Sequence, residues 1–299
     1  MSRALSINIQ PRAYIELTKP RIVALLVFTC LTSMIVAAET IPPVDSLLFT
    51  LLGGALAAGG SCAINQYLDR VMDAKMSRTA RRPIPSGRIS ARRALGFGIA
   101  LLALSALTLG LFVNWLAAGL ALGGAFYYIV VYTVLLKRHT VANILIGGGA
   151  GAMPALVGWA AATGALELQA FILFAIIFYW TPPHSWALAI LVNKDYAAAD
   201  IPMMPVARGE RVTRYQILFY SLQLVLISLT PGLLLLLGGA QTMLGGFYLL
   251  AAVILGSLLV WLALKLIRRA DEGTARSLYK YSSLYLAMLF LAMIVDRLL

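Results

Sequence analysis

Charge is scarce in this chain. Only 12% of its 299 residues are Asp, Glu, Lys or Arg, and the 12 acidic residues are half as many as the 24 basic ones. That is too little charge for the surface of a water-soluble protein of this length. Histidine occurs only as His139 and His184, and cysteine only as Cys30 and Cys62. Both cysteines fall within apolar stretches and imply neither a disulfide framework nor a metal knuckle. The net charge of +12 follows from loop topology and anionic lipid headgroups, so it calls for no nucleic acid.

Apolar residues make up 61% of the sequence, and windows of about 20 of them, the length a transmembrane helix needs, recur along it. Nine spans are expected, at 22–38, 46–64, 95–113, 116–136, 141–163, 168–192, 215–237, 243–264 and 278–295. This predicts an all-α membrane protein whose nine transmembrane helices surround an intramembrane cavity. Loops rich in lysine and arginine stay cytoplasmic. A cytoplasmic N-terminus and an outside C-terminus place every Lys and Arg except Arg297 on the cytoplasmic side, with Glu39, Asp45 and Glu167 in external turns.

One domain over 1–299 is expected, with a cytoplasmic segment 1–21 and cytoplasmic active-site loops at 65–93 and 193–214. The first span, with Ala37-Ala38-Glu39 at its end, faintly resembles a signal peptide, but the apolar run is long and eight spans follow. A retained first helix in a bacterial inner membrane is the expectation. Pro154 with the glycines at 147–151 predicts a broken fifth span, and Pro182-Pro183 a kink in the sixth.

The chemistry gathers where the second span runs into the most basic loop. If that helix continues, Asn65, Asp69 and Asp73 recur every four residues and share one face. Two carboxylates and an amide there suit Mg²⁺, which takes oxygen ligands and completes its shell with substrate phosphates. Asp195, in the other long loop, is expected to face them as a further ligand; Asp200, five residues on, fits one helical face less well. Arg78, Arg82, Lys137, Arg138 and Lys194 lie nearby and suit phosphate oxygens. A cation-coupled transporter would use similar residues, but near the bilayer midplane rather than beside basic loops.

Asn65-xxx-Asp69-xxx-Asp73 followed by Arg78-Thr-xx-Arg82-Pro83 resembles the first aspartate-rich motif of the intramembrane aromatic prenyltransferases, the UbiA-type superfamily. Leu17-Thr-Lys-Pro-Arg21, Tyr132-Thr-xxx-Lys137-Arg138 running on to Asn143 and Gly147, Pro182-Pro-His184-xx-Trp186 and Ile201-Pro-Met-Met-Pro205 look like the branch that farnesylates haem. The resemblance implies transfer of a farnesyl group from farnesyl diphosphate to a vinyl group of protohaem IX, with Mg²⁺, in the lipid bilayer, alongside haem-handling partner proteins. It implies catalytic roles for Asp69, Asp73 and Asp195, and diphosphate binding by Asn65, Arg78, Arg82, Lys137, Arg138 and Lys194. Haem contacts would fall to Tyr132, Asn143, His184 and Trp186, with His184 open as an iron ligand, a proton carrier or part of the pocket wall. A quinone precursor is the alternative acceptor.

Overall fold

The computed structural model describes residues 11–236 and 243–299, and among these the regular structure is all helical. Residues 1–10 of the expected N-terminal segment, and residue 237 at the expected end of the seventh span, lie outside the described residues. A short helix α1 (Pro11–Thr18) leads into α2 (Pro20–Ala38) and α3 (Val44–Asp73). Then come α4 (Ala91–Phe112), α5 (Trp115–Phe126) with a π-helical continuation Tyr127–Leu136, α6 (Asn143–Thr163), α7 (Leu168–Leu191) and the short α8 (Asn193–Ala198). The last three are α9 (Met204–Leu236), α10 (Gly246–Arg269) and α11 (Glu272–Leu298). Among the described residues, nine helices are long and apolar enough to cross a membrane, counting α5 and its continuation as one.

The outer faces are what a bilayer selects. On α4, Ile99, Leu104, Leu107 and Leu111 are all more than half exposed, and on α10 Leu250, Ile254 and Trp261 are too. Water would penalise such continuous apolar stripes, whereas lipid does not. Helix contacts rely on small residues that let backbones approach. A Cβ on Gly60 would lie 2.8 Å from the Gly98 carbonyl, and one on Gly98 would lie 2.9 Å from that of Gly60, so α3 and α4 close only with glycine at both positions.

At about 1.5 Å per residue, the 30 residues of α3 extend roughly 45 Å, well beyond a hydrocarbon core of about 30 Å. The acidic row therefore sits on a helical extension, and 65–73 of the expected loop at 65–93 is helix. The expected loop at 193–214 is likewise interrupted, by α8 and by the start of α9. Neither α6 nor α7 is broken, although Pro154 lies inside one and Pro182 and Pro183 inside the other. In α7 the Thr181 hydroxyl donates to the Ile177 carbonyl at 2.9 Å, one of the side-chain bonds that let membrane helices absorb proline.

The two ends of the bundle differ. At one, Arg297 pairs with Glu39, and the Asp296 carboxylate accepts from the backbone N–H groups of Gly245 and Tyr248, capping α10. At the other, α1 is tied down by Arg88 to Glu16 at 2.7 Å and by Gln66, whose amide donates to the Leu17 carbonyl at 2.9 Å. That anchoring fixes Lys19, held at φ 51°, between α1 and α2. A left-handed backbone costs a non-glycine residue about 1–2 kcal/mol and marks a constrained position.

Candidate active site

Asn65, Asp69 and Asp73 stack along one face of α3, each at most 2% exposed. The Asn65 amide donates to Asp69 Oδ2 at 2.9 Å and to the Thr133 hydroxyl at 3.0 Å, and its Oδ1 accepts from Lys19 Nζ at 3.1 Å. Lys137 Nζ donates to Asp69 Oδ2 at 2.5 Å. Arg82 folds back over the helix end, its Nη1 lying 2.9 and 2.8 Å from the two Asp73 oxygens. The Thr79 hydroxyl donates to the Asp73 carbonyl at 2.9 Å and closes the turn that returns Arg82. Burial pushes the Lys19 and Lys137 ammonium groups below their usual pKa, and at Lys137 the Asp69 charge acts the other way.

The π-helical segment makes this convergence possible. Its wider turn puts Tyr128, Tyr132 and Thr133 on the side facing α3: the Thr133 hydroxyl donates to the Tyr128 carbonyl, and the Lys137 N–H to that of Tyr132, five residues back in each case. Such turns cluster at functional sites. The Tyr128 and Tyr132 rings stack, centroids 5.7 Å apart.

Two cavities meet at these tyrosines. A polar one of about 130 Å³ is bounded by Lys19, Asn65, Asp73, Arg78, Arg82 and Lys137, with Tyr196 on its wall. The second, of about 650 Å³, runs between apolar helix faces and includes Trp180, Thr181, His184 and Tyr279. Tyr128 and Tyr132 belong to both linings. His184 Nδ1 lies 2.8 Å from Ser282 Oγ.

Other expected residues lie elsewhere. Asp195 does not line the polar cavity; its oxygens accept from the Ser77 hydroxyl at 2.9 and 3.1 Å and from the Arg78 N–H at 3.4 Å, so it braces the loop carrying Arg78. Lys194 beside it is exposed and outside both linings. Arg138 stands at the rim, 47% exposed and 3.7 Å from Asp69 Oδ1. Asn143 is buried behind Lys137, donating to its carbonyl at 3.4 Å. Trp186 is 1% exposed and packs edge-on against Tyr220, away from the cavity. Two residues of helix turn it about 200° from His184, onto the opposite face.

Sequence reasoning passed over Lys19, Thr79, Thr133 and Tyr196 as site residues. Lys19 alone carried a signal, a cation immediately before a proline at a span boundary. The donor set suits a hard divalent cation. Asp69 Oδ1 is buried without a hydrogen-bond partner among the described residues, which leaves one carboxylate oxygen for such a cation.

Fold and site together define a multi-pass α-helical membrane protein with a polar, cation-rich chamber opening beside an apolar one. The chain belongs to the UbiA prenyltransferase family, whose model matches residues 26–292. It is 52% identical over 284 residues to the protoheme IX farnesyltransferase of Roseiflexus castenholzii, covering 95% of this chain and 52% of that protein. It is 51% identical over 288 residues to that of Synechococcus sp. (strain JA-2-3B'a(2-13)), covering 96% and 84%. The chain thus spans about half the length of the first of these relatives. Among solved structures, a digeranylgeranylglyceryl phosphate synthase superposes with a TM-score of 0.75 at 18% identity, covering 96% of this chain and 98% of that one. A UbiA homologue from Archaeoglobus fulgidus bound to DMAPP and Mg²⁺ gives 0.66 at 18% identity, covering 94% and 98%. These two likenesses are of fold.

Proposed function

We propose that this chain transfers a farnesyl group from farnesyl diphosphate to a vinyl group of protohaem IX, in a bacterial inner membrane with its N-terminus cytoplasmic. The relatives that share half its residues carry the name of that activity. The observation that carries the reading is the meeting of two chemically opposite cavities at Tyr128 and Tyr132. A diphosphate needs the cationic one, while an isoprenoid chain and a tetrapyrrole need the apolar one. The orientation follows from the basic loops, which favour the cytoplasmic face.

Arg78, Arg82, Lys137 and Lys19 hold the diphosphate. Asn65, Asp69 and Asp73 would hold Mg²⁺, which when bound supplies Lewis-acid stabilisation of negative charge on the diphosphate. Heterolysis of the allylic C–O bond leaves its electron pair on the diphosphate, where the fixed cations lower the energy of the developing charge. The faces of Tyr128, Tyr132 and Trp180 favour the allylic cation. The vinyl π electrons of the acceptor then form the new C–C bond. Water adds to the resulting cation and releases a proton, giving the hydroxyl of haem O. Apolar walls keep other water away until then.

The test is to express the chain, supply farnesyl diphosphate, extract haems and look by mass spectrometry for protohaem enlarged by a hydroxyethylfarnesyl group. That product should depend on Mg²⁺ and vanish with a chelator. Its absence despite both substrates would overturn the proposal, and prenylation of a quinone precursor instead would move the acceptor.

A further inference from the structure

Ser282, on α11 and fully buried, touches both of the α7 rings that border the larger cavity. Its carbonyl accepts the Trp180 indole N–H at 2.6 Å. Its hydroxyl lies 2.8 Å from His184 Nδ1 and 2.8 Å from the Tyr279 carbonyl. A hydroxyl has one proton to donate, and a carbonyl can only accept. The Ser282 proton therefore goes to Tyr279, and the contact with His184 is made by an Nδ1–H donating to the Ser282 oxygen. The lone pair falls to Nε2, which has no hydrogen-bond partner among the described residues, on a ring that lines the 650 Å³ cavity. Trp180 and Tyr279, with ring centroids 4.3 and 4.7 Å from that of His184, restrain the imidazole plane.

The geometry assigns Ser282 a positioning role: it locks neutral His184 as the Nδ1–H tautomer, so that Nε2 presents its lone pair to the iron of a tetrapyrrole acceptor. The assignment rests on reading the larger cavity as the acceptor site. In the opposite tautomer Nε2 carries the proton and has nothing to give a metal. Ligating histidines regularly donate their second ring N–H to such a partner, which fixes tautomer and orientation. Coordination is dative, with both electrons from Nε2 and no proton transferred. Ser282 touches no substrate; it acts through His184.

The chain has only two histidines, so nitrogen-15 histidine labelling of the full chain in micelles resolves two imidazoles, and His139→Gln leaves that of His184 alone. Its ring-nitrogen shifts should show Nδ1 protonated; an Nε2–H imidazole there would overturn the assignment. With ferric protohaem as the probe, the optical and electron paramagnetic spectra should carry a histidine-ligated signature that His184→Ala removes. Ser282→Ala should mix the tautomers and weaken ferric protohaem binding about 10- to 100-fold, the range seen for outer partners of ligating histidines. Ser282→Thr should restore both. Unchanged tautomer and affinity in Ser282→Ala would sink the positioning role, as would a wild-type spectrum from His184→Ala. The expected shifts and spectra in a chain that forms no prenylated haem would support the role of Ser282 and overturn the transfer reaction instead.

Discussion

Lys137 Nζ lies 2.5 Å from Asp69 Oδ2, although Asp69 is on α3 and Lys137 stands 68 residues further on, just past the π-helical segment. Asp69 is fully buried, and only 12% of the Lys137 side chain is exposed. Removing one partner of such a pair strands the other. Asp69→Asn is expected to cost about 3 kcal/mol of stability and to lower haem O formation at least about 100-fold. Asp69→Asn combined with Lys137→Gln should recover most of the stability and none of the turnover. Thermal melts in detergent and product analysis separate the two effects.

Lys19 donates to Asn65 and reaches the polar cavity from a strained turn. A charged hydrogen bond contributes about 1.5–3 kcal/mol, so Lys19→Met should weaken farnesyl diphosphate binding about tenfold or more. Binding isotherms of the purified variant check this, and affinity equal to wild type would remove Lys19 from the site.

Gly147 faces Tyr132 so closely that an added Cβ would lie 3.0 Å from its Cε2. Gly147→Ala is expected to push that ring out of the wall common to both cavities and to lower turnover with little loss of fold. Gly119, with nothing within 4 Å of an added Cβ, is the control. Gly119→Ala should leave activity intact and add about 0.5–1 kcal/mol of helix stability.

Asp271 caps α11, accepting from the Thr274 N–H at 2.7 Å and from its hydroxyl at 2.9 Å. These bonds hold its carboxyl below the usual carboxylate range. A depressed folded-state pKa stabilises at pH above the unfolded value, and the stabilisation is lost as pH falls through the folded one. The melting temperature of the wild type should therefore drop more than that of Asp271→Asn as the buffer is taken through the acid range.

The spans and the acidic row were legible because each rests on a short-range period: apolar runs of bilayer length, and side chains four apart on one helix. Lys19 was not placed in the site because its approach to Asn65 depends on a left-handed turn and on anchoring of α1 by Gln66 and Arg88. The π-helical turn was invisible, since Tyr127–Leu136 has the composition of any apolar helix. Trp186 was legible and misread: a separation of two from His184 already puts it on the far face. Asp195 was expected as an opposing ligand because sequence supplies the carboxylate but not the Ser77 hydroxyl and Arg78 N–H that take it up.

The ring of ion pairs around α3 also bears on how the chain is made. Its anions, Asp69 and Asp73, leave the ribosome after Lys19 and before Arg82, and Lys137 follows only when two further spans have been synthesised. Asp69 must therefore wait without its ammonium partner through the insertion of α4 and α5. It can do so because the far end of α3 extends past the hydrocarbon layer, where water solvates a carboxylate until the rest of the bundle arrives. At roughly 45 Å, α3 is long enough to keep that carboxylate beyond a hydrocarbon core of about 30 Å until Lys137 follows.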